Sequence, residues 1–189
     1  MRFTFNKPKT VQLVGKLITL SGGQINKMKL IKLMYLIDRQ ALIKWGEPIT
    51  GDRMVSMPYG PVLSTTLDLL NFGDGLMPEM FGGEPLWDRF ITEKNHTVSL
   101  KEPIGEDEFS PAEIDLIAGV FRKIDAFNPF QLSRWCHDNL PEWEDPNGSS
   151  KTIEFERVLE VAGKAPAEIE QLADDAEKYA KEALLFKKT

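Results

Sequence analysis

Cysteine and histidine are nearly missing from this chain: Cys136 stands alone, and His96 and His137 are the only histidines among 189 residues. One cysteine excludes an intramolecular disulfide and a thiolate-rich zinc site. With two histidines beside it, neither a structural metal nor a cofactor is expected. No run approaches the roughly 18 apolar residues of a membrane span, and the opening residues MRFTFNKPK lack a hydrophobic signal region. A cytoplasmic protein is the expectation. Also absent are a P-loop, a dinucleotide fingerprint, a zinc-protease helix, a serine elbow, internal repeats and an appended helix-turn-helix. What remains, 42% hydrophobic and 28% charged, is the balance of a soluble globular chain able to bury its own core as one domain.

Glycine and proline are absent from Lys27 to Trp45, which reads as a long helix. Placed at about 100° per residue, Leu30, Met34, Ile37, Ala41 and Trp45 form one stripe flanked by Ile31, Tyr35 and Leu42. Asp38 falls inside that apolar arc, where an ionised carboxylate is costly unless bonded or paired. Arg53, Tyr59 and His137 are its natural partners. The other side carries Lys29, Lys32, Leu36, Arg39 and Ile43, two large aliphatics among three cations. That stripe is expected at or beside a partner-binding surface; otherwise another helix of the same chain, such as the C-terminal one, covers it. A helix apolar over most of its circumference is a central one, wrapped by others.

Gly46 and Pro48 end this helix. Asp52 to Met57 reads as containing a short strand, Pro58-Tyr59-Gly60-Pro61 as a turn, and Pro61 as the first position of a helix running to about Leu70.

Lys29-Leu30-Ile31-Lys32-Leu33-Met34-Tyr35 with Asp38, then Gly46-Glu47-Pro48-Ile49-Thr50-Gly51, then Tyr59-Gly60-Pro61-Val62, resemble the signature of the Panacea domain of phage-associated, SocA-like antitoxins. Leu132-Ser133, His137 and Trp143 resemble that family's second motif, and the likeness runs over roughly residues 8 to 155. It departs at Leu36, where an aromatic residue is common, and at Cys136, where a hydroxyl residue is. The resemblance implies a non-enzymatic protein of a toxin–antitoxin system, in a prophage or phage-defence setting, that binds and neutralises a cognate protein toxin. It also implies that Tyr35, Asp38, Arg53, Tyr59, Gly60, Pro61, Ser133, His137 and Trp143 act as structural or binding residues.

Charge is uneven. Residues 1 to 53 hold ten Lys or Arg against three Asp or Glu, and the remainder thirteen against twenty-six, which together make the formal net charge of −6. The acidic majority disfavours general nucleic-acid binding, which draws on phosphate neutralisation, and suits a partner with a basic cleft.

Along the chain, residues 1 to 7 read as an extended arm, and Pro8 opens an amphipathic helix that ends at Gly22-Gly23. Residues 71 to 85 look irregular, with Met77, Met80 and Phe81 as exposed or anchoring apolar residues. Trp87 to Ile91 and Thr97 to Leu100 read as strands joined at Lys94-Asn95-His96, and with Arg53 to Met57 they are expected to make one small antiparallel sheet. Ser110-Pro111-Ala112-Glu113 is a capping box that starts a helix to about Asp125. Asn128-Pro129 starts another, Thr152 to Val161 a third, and Pro166 a final acidic helix to about Leu185 whose inner stripe, from Ile169 to Leu184, is narrow and alanine-rich.

The expected fold is therefore α+β, predominantly helical, with helices packed around residues 27–45 and a small antiparallel sheet. Residues 1–163 form the antitoxin-like domain, and 164–189 an acidic helix packed on it or extending from it. Two other functions carry weight. One is a DNA-binding autorepressor. The other is a hydrolase using Asp38, Ser133 and His137, since Ser133 and His137 lie one helical turn apart; against it, that spacing supplies no oxyanion site. Trp143 reads as a core plug in preference to a stacking platform.

Overall fold

The computed structural model describes residues 1–76 and 85–186. Its organising element is α2 (Lys27–Trp45), which starts at Asn26, whose side chain accepts from the Met28 and Lys29 amides, and stops at Gly46 in the left-handed region, φ 79°. Leu30 to Asp38 are buried without a break, as are Ala41 and Leu42. Trp45, read from the sequence as a core residue, is instead 38% exposed at the helix end, with the Lys44 ammonium over its ring.

Around α2 pack α1 (Lys7–Leu20), α3 (Ser64–Phe72), α5 (Pro111–Ile124), α6 (Pro129–Asn139) and α7 (Phe155–Val161). The short α4 (Leu86–Phe90) lies against α1, and α8 (Pro166–Phe186) lies on α7. The α+β, mainly helical fold expected from the sequence is the one observed. α1 buries Val11, Leu13, Val14, Leu17 and Ile18 completely. α8 docks through the narrow stripe of Ile169, Leu172 and Ala176 and leaves Glu168, Glu170, Asp174, Asp175 and Glu177 exposed.

Among the described residues the strands form two antiparallel sheets where one was expected. In the first, β1 (Gln24–Asn26), β5 (Thr97–Leu100) and β4 (Ile91–Lys94) pair in that order, closed by a turn with Asn95 and His96 at positive φ. The second has the order β3 (Gly60–Leu63), β2 (Met54–Met57), β6 (Lys151–Thr152).

Two helix starts differ from the sequence reading because remote side chains cap them. Residues 86–90, read mostly as strand, are α4, whose Asp88 amide donates to Asp74 while Asp88 accepts from the Asp74 amide. Pro61 lies in β3, and α3 begins only at Ser64, where the Asp52 carboxylate accepts from the amides of Thr65 and Thr66 and from the Thr66 hydroxyl. Residues 77–84, which include Met77, Met80 and Phe81, lie outside the described residues. Among those described, no helix is long and apolar enough to cross a membrane.

Candidate functional site

The β2–β3 hairpin lies against α2 and α6, and its backbone is held from three directions. Trp143 Nε1 donates to the Met57 carbonyl at 3.0 Å, Ser133 Oγ to the Tyr59 carbonyl at 2.7 Å and Lys32 Nζ to the Pro61 carbonyl at 2.9 Å. Three alternate carbonyls around the turn thus each receive a side chain from a different part of the chain. The Glu144 amide adds a bond to Ser56 Oγ at 3.2 Å. So restrained, the turn presents the Tyr59 ring outward, 71% exposed.

Gly60 is at φ +97°, a region where a side chain is strained, and a Cβ there would sit 3.0 Å from Lys32 Nζ and 3.3 Å from the His137 ring. Only a glycine lets the hairpin come this close to both. His137 stacks on Trp143, ring centroids 4.1 Å apart and planes 9° apart. Burial, and next the Lys32 charge, lower the His137 pKa, and its Nε2 is buried with no hydrogen-bond partner among the described residues. Lys32 is 1% exposed, and burial lowers its pKa to about 8. Burial likewise pushes the nearby Cys136 thiol up to about 11, against the pull of Lys32, which makes it a packing residue at neutral pH.

One turn along α2, a buried carboxylate is satisfied by the same helix. Glu142 accepts from Tyr35 Oη at 2.9 Å and from Arg39 through Nε at 2.6 Å and Nη2 at 3.3 Å. Burial first, and Glu142 second, push the Tyr35 phenol well above its ordinary value, so it stays a neutral donor. Asp38 is completely buried, but its partner is not Arg53, Tyr59 or His137. It accepts from the Thr50 amide at 3.0 Å and from the Thr50 hydroxyl. The reversal at Gly46 brings the chain straight back over α2, so the partner comes from twelve residues on. Burial outweighs those bonds and raises the Asp38 pKa to about 7.

Of the stripe expected at a partner surface, Lys32 and Leu36 are buried within the chain, whereas Lys29, Arg39 and Ile43 are partly buried. Leu36 is 7% exposed and Lys32 1%, Ile43 packs partly buried against the core, Lys29 donates to the Asp125 carbonyl and carboxylate, and Arg39 holds Glu142. Asp125 and Glu142 of the 110–145 segment meet Lys29 and Arg39, the Pro61 carbonyl of the hairpin meets Lys32, and the C-terminal helix places Leu172 beside Gly46 at the end of α2. Ser133 and His137 do meet at the hairpin, but Asp38 is engaged at Thr50 and the Ser133 proton goes to a backbone carbonyl. An open cleft of about 530 Å³ beside the hairpin has none of these three in its lining. Arg53 donates to Ser64 Oγ at 2.9 Å. Trp143 is half-buried and serves as both plug and stacking partner. Glu142 and Asp52 were not singled out in the sequence, and Thr50 stood there only as a member of the Gly46-to-Gly51 block; for Glu142 the available sign was a carboxylate beside a tryptophan in Pro141-Glu142-Trp143. Among the described residues no group of three or more His, Cys, Asp or Glu is placed to hold a metal.

The clamp residues from Lys32 to Trp143 lie within a stretch, residues 30–144, that matches the family model of the SocA-like antitoxin, Panacea domain. The chain belongs to that family. The match covers more than half of its length and includes α2 from Leu30 onward, the hairpin, α6 and the loop that carries Glu142. No curated protein and no solved structure matches the chain. Membership in an antitoxin family points to a non-enzymatic role with a toxin as partner. In this Panacea domain, Lys32, Ser133 and Trp143 hold the hairpin backbone while Tyr59 stays exposed at the turn.

Proposed function

We propose that this Panacea-domain chain neutralises a cognate protein toxin by direct contact, and that the clamped β2–β3 turn is the centre of the contact. The observation that carries this reading is the contrast between backbone and side chain at Tyr59: its carbonyl is fixed by Ser133 while its ring is 71% exposed. Phe130, one turn before Ser133 on α6, is 78% exposed. Large aromatic side chains on a restrained backbone lose little entropy on binding and are enriched among the residues that dominate interface energy. The α2 stripe of Lys29, Lys32, Leu36, Arg39 and Ile43 serves this surface from behind, by holding the hairpin and its supporting helices. Residues 1–163 form the neutralising unit, with the helix beyond as an acidic attachment.

The test is co-expression with the toxin encoded by the adjacent gene, read as growth rescue and as co-purification. Replacing both Tyr59→Asp and Phe130→Asp is expected to abolish rescue and complex, while stability moves by no more than about 0.5 kcal/mol per site, as for ordinary surface positions. Rescue that survives the double replacement removes the hairpin surface from consideration. Rescue by the parent chain without any recoverable complex removes direct contact.

A further inference from the structure

Beside the clamped turn, the cleft of about 530 Å³ is built from four parts of the chain with different chemistry. Val55 and Met57, two apart on β2, lie on one face of the strand. Leu67 and Asp68 come from one side of α3, with Ser64 a turn earlier. Tyr59 contributes from the turn, and the serines of the loop before β6 close the lining. The cleft thus combines an apolar wall from Val55, Met57 and Leu67 with serine hydroxyls, one carboxylate and an exposed aromatic ring at its margin.

That carboxylate has no hydrogen bond or ion pair among the described residues. Arg53 acts on Asp68 through its charge, but its guanidinium donates to Ser64 Oγ. Asp52, at the start of the same helix, is fully engaged in capping α3 and adds negative potential. Partial burial, and next Asp52, raise the Asp68 pKa above its ordinary value against the pull of Arg53. An anionic ligand, such as a phosphate, would meet two carboxylates against one guanidinium. The chain beyond residue 53 also carries twice as many acidic as basic side chains, twenty-six against thirteen, so a basic partner is favoured at long range as well.

Resting on the direct-contact reading, we propose that this cleft takes a lysine or arginine side chain of the partner protein, its methylenes against Val55, Met57 and Leu67 and its charged head between the Asp68 carboxylate and the Tyr59 ring. Long basic side chains bury an apolar stem while keeping the head group paired, and a cation over an aromatic face gains further attraction.

The test separates the cleft from the antitoxin reading. The purified chain is titrated with N-acetyl-arginine amide and, in parallel, with its neutral isostere N-acetyl-citrulline amide, following backbone amide resonances. Shifts at Tyr59, Leu67, Asp68 and Ser149 with the arginine probe, at least tenfold weaker with citrulline and lost in Asp68→Asn, are expected. Equal response to both probes, or none with either, overturns the cation site whether or not a toxin is bound elsewhere. In the complex, Asp68→Asn is expected to weaken toxin affinity about tenfold with an unchanged melting curve; unchanged affinity in a complex that still forms overturns the proposal. Failure to form any complex counts against direct contact alone, because the probe titration on the wild-type chain still decides the cleft.

Discussion

Replacing Asp38 by asparagine tests the account of the central helix through the pH dependence of stability. The Asp38 carboxyl is completely buried and titrates at about 7 in the folded chain, against an ordinary value of 3.8. A group whose folded pKa is raised contributes stability that is full below the unfolded value and is lost as pH rises through the folded one. Between these two values the folded state holds the extra proton. Integrating that difference from pH 5 to pH 8 gives a loss of about 2.5 kcal/mol for the parent chain. The carboxamide of the Asp38→Asn variant has no such proton to lose. It retains an acceptor for the Thr50 amide, and the Thr50 hydroxyl can accept where it formerly donated. Urea melts of both proteins at pH 5 and pH 8 isolate the effect, since other titrating groups cancel in the double difference. Parallel profiles would refute the reasoning, because they would mean that Asp38 ionises as easily in the fold as outside it.

Lys32→Met probes the opposite sign. A buried ammonium with a depressed pKa contributes stability above its unfolded value of 10.5 that is lost as pH falls through about 8. The parent chain should therefore gain about 2.5 kcal/mol relative to the Met variant between pH 7 and pH 10, and denaturant melts showing a constant gap would sink the idea. Glycine substitutions offer a contrast within one protein. Gly60→Ala, at positive φ against Lys32 and His137, should cost about 2 kcal/mol. Gly119→Ala, inside α5 with open space around the added methyl, should raise stability by about 0.5 to 1 kcal/mol. Thermal melts that move both variants in the same direction would contradict this.

The helical plan was legible where the signals are local. The Ser110–Glu113 box and the Asn128 cap lie within four residues of the helices they start, and α1 and α2 announce themselves by periodicity. Where a cap arrives from far along the chain, as Asp52 does for α3 and Asp74 for α4, nothing in the neighbouring residues records it. The motif residues of the site were recognisable, but their partners were not: those of Lys32, Ser133 and Trp143 are backbone carbonyls, which have no letter in the sequence, and those of Tyr35 and Arg53 come from loop and helix positions that carry no signal of their own. The burial of Lys32 and Leu36 was hidden for a related reason. Their stripe reads as a partner surface or as a face covered by the same chain until Pro61 and Glu142 arrive to pair with Lys32 and Arg39. Two aliphatics between cations look alike on a protein interface and on a helix face covered by its own chain.

The grip on the hairpin also has a bearing on the order of events during synthesis. The carbonyls of residues 57, 59 and 61 are held by side chains at 143, 133 and 32, so two of the three restraints are still untranslated when β2 and β3 leave the ribosome. Closing such long loops is the slow part of acquiring a fold. The turn reaches its clamped geometry only after nearly the whole matched stretch has emerged, so a nascent or prematurely terminated chain lacks two of the three restraints on Tyr59 and its neighbours.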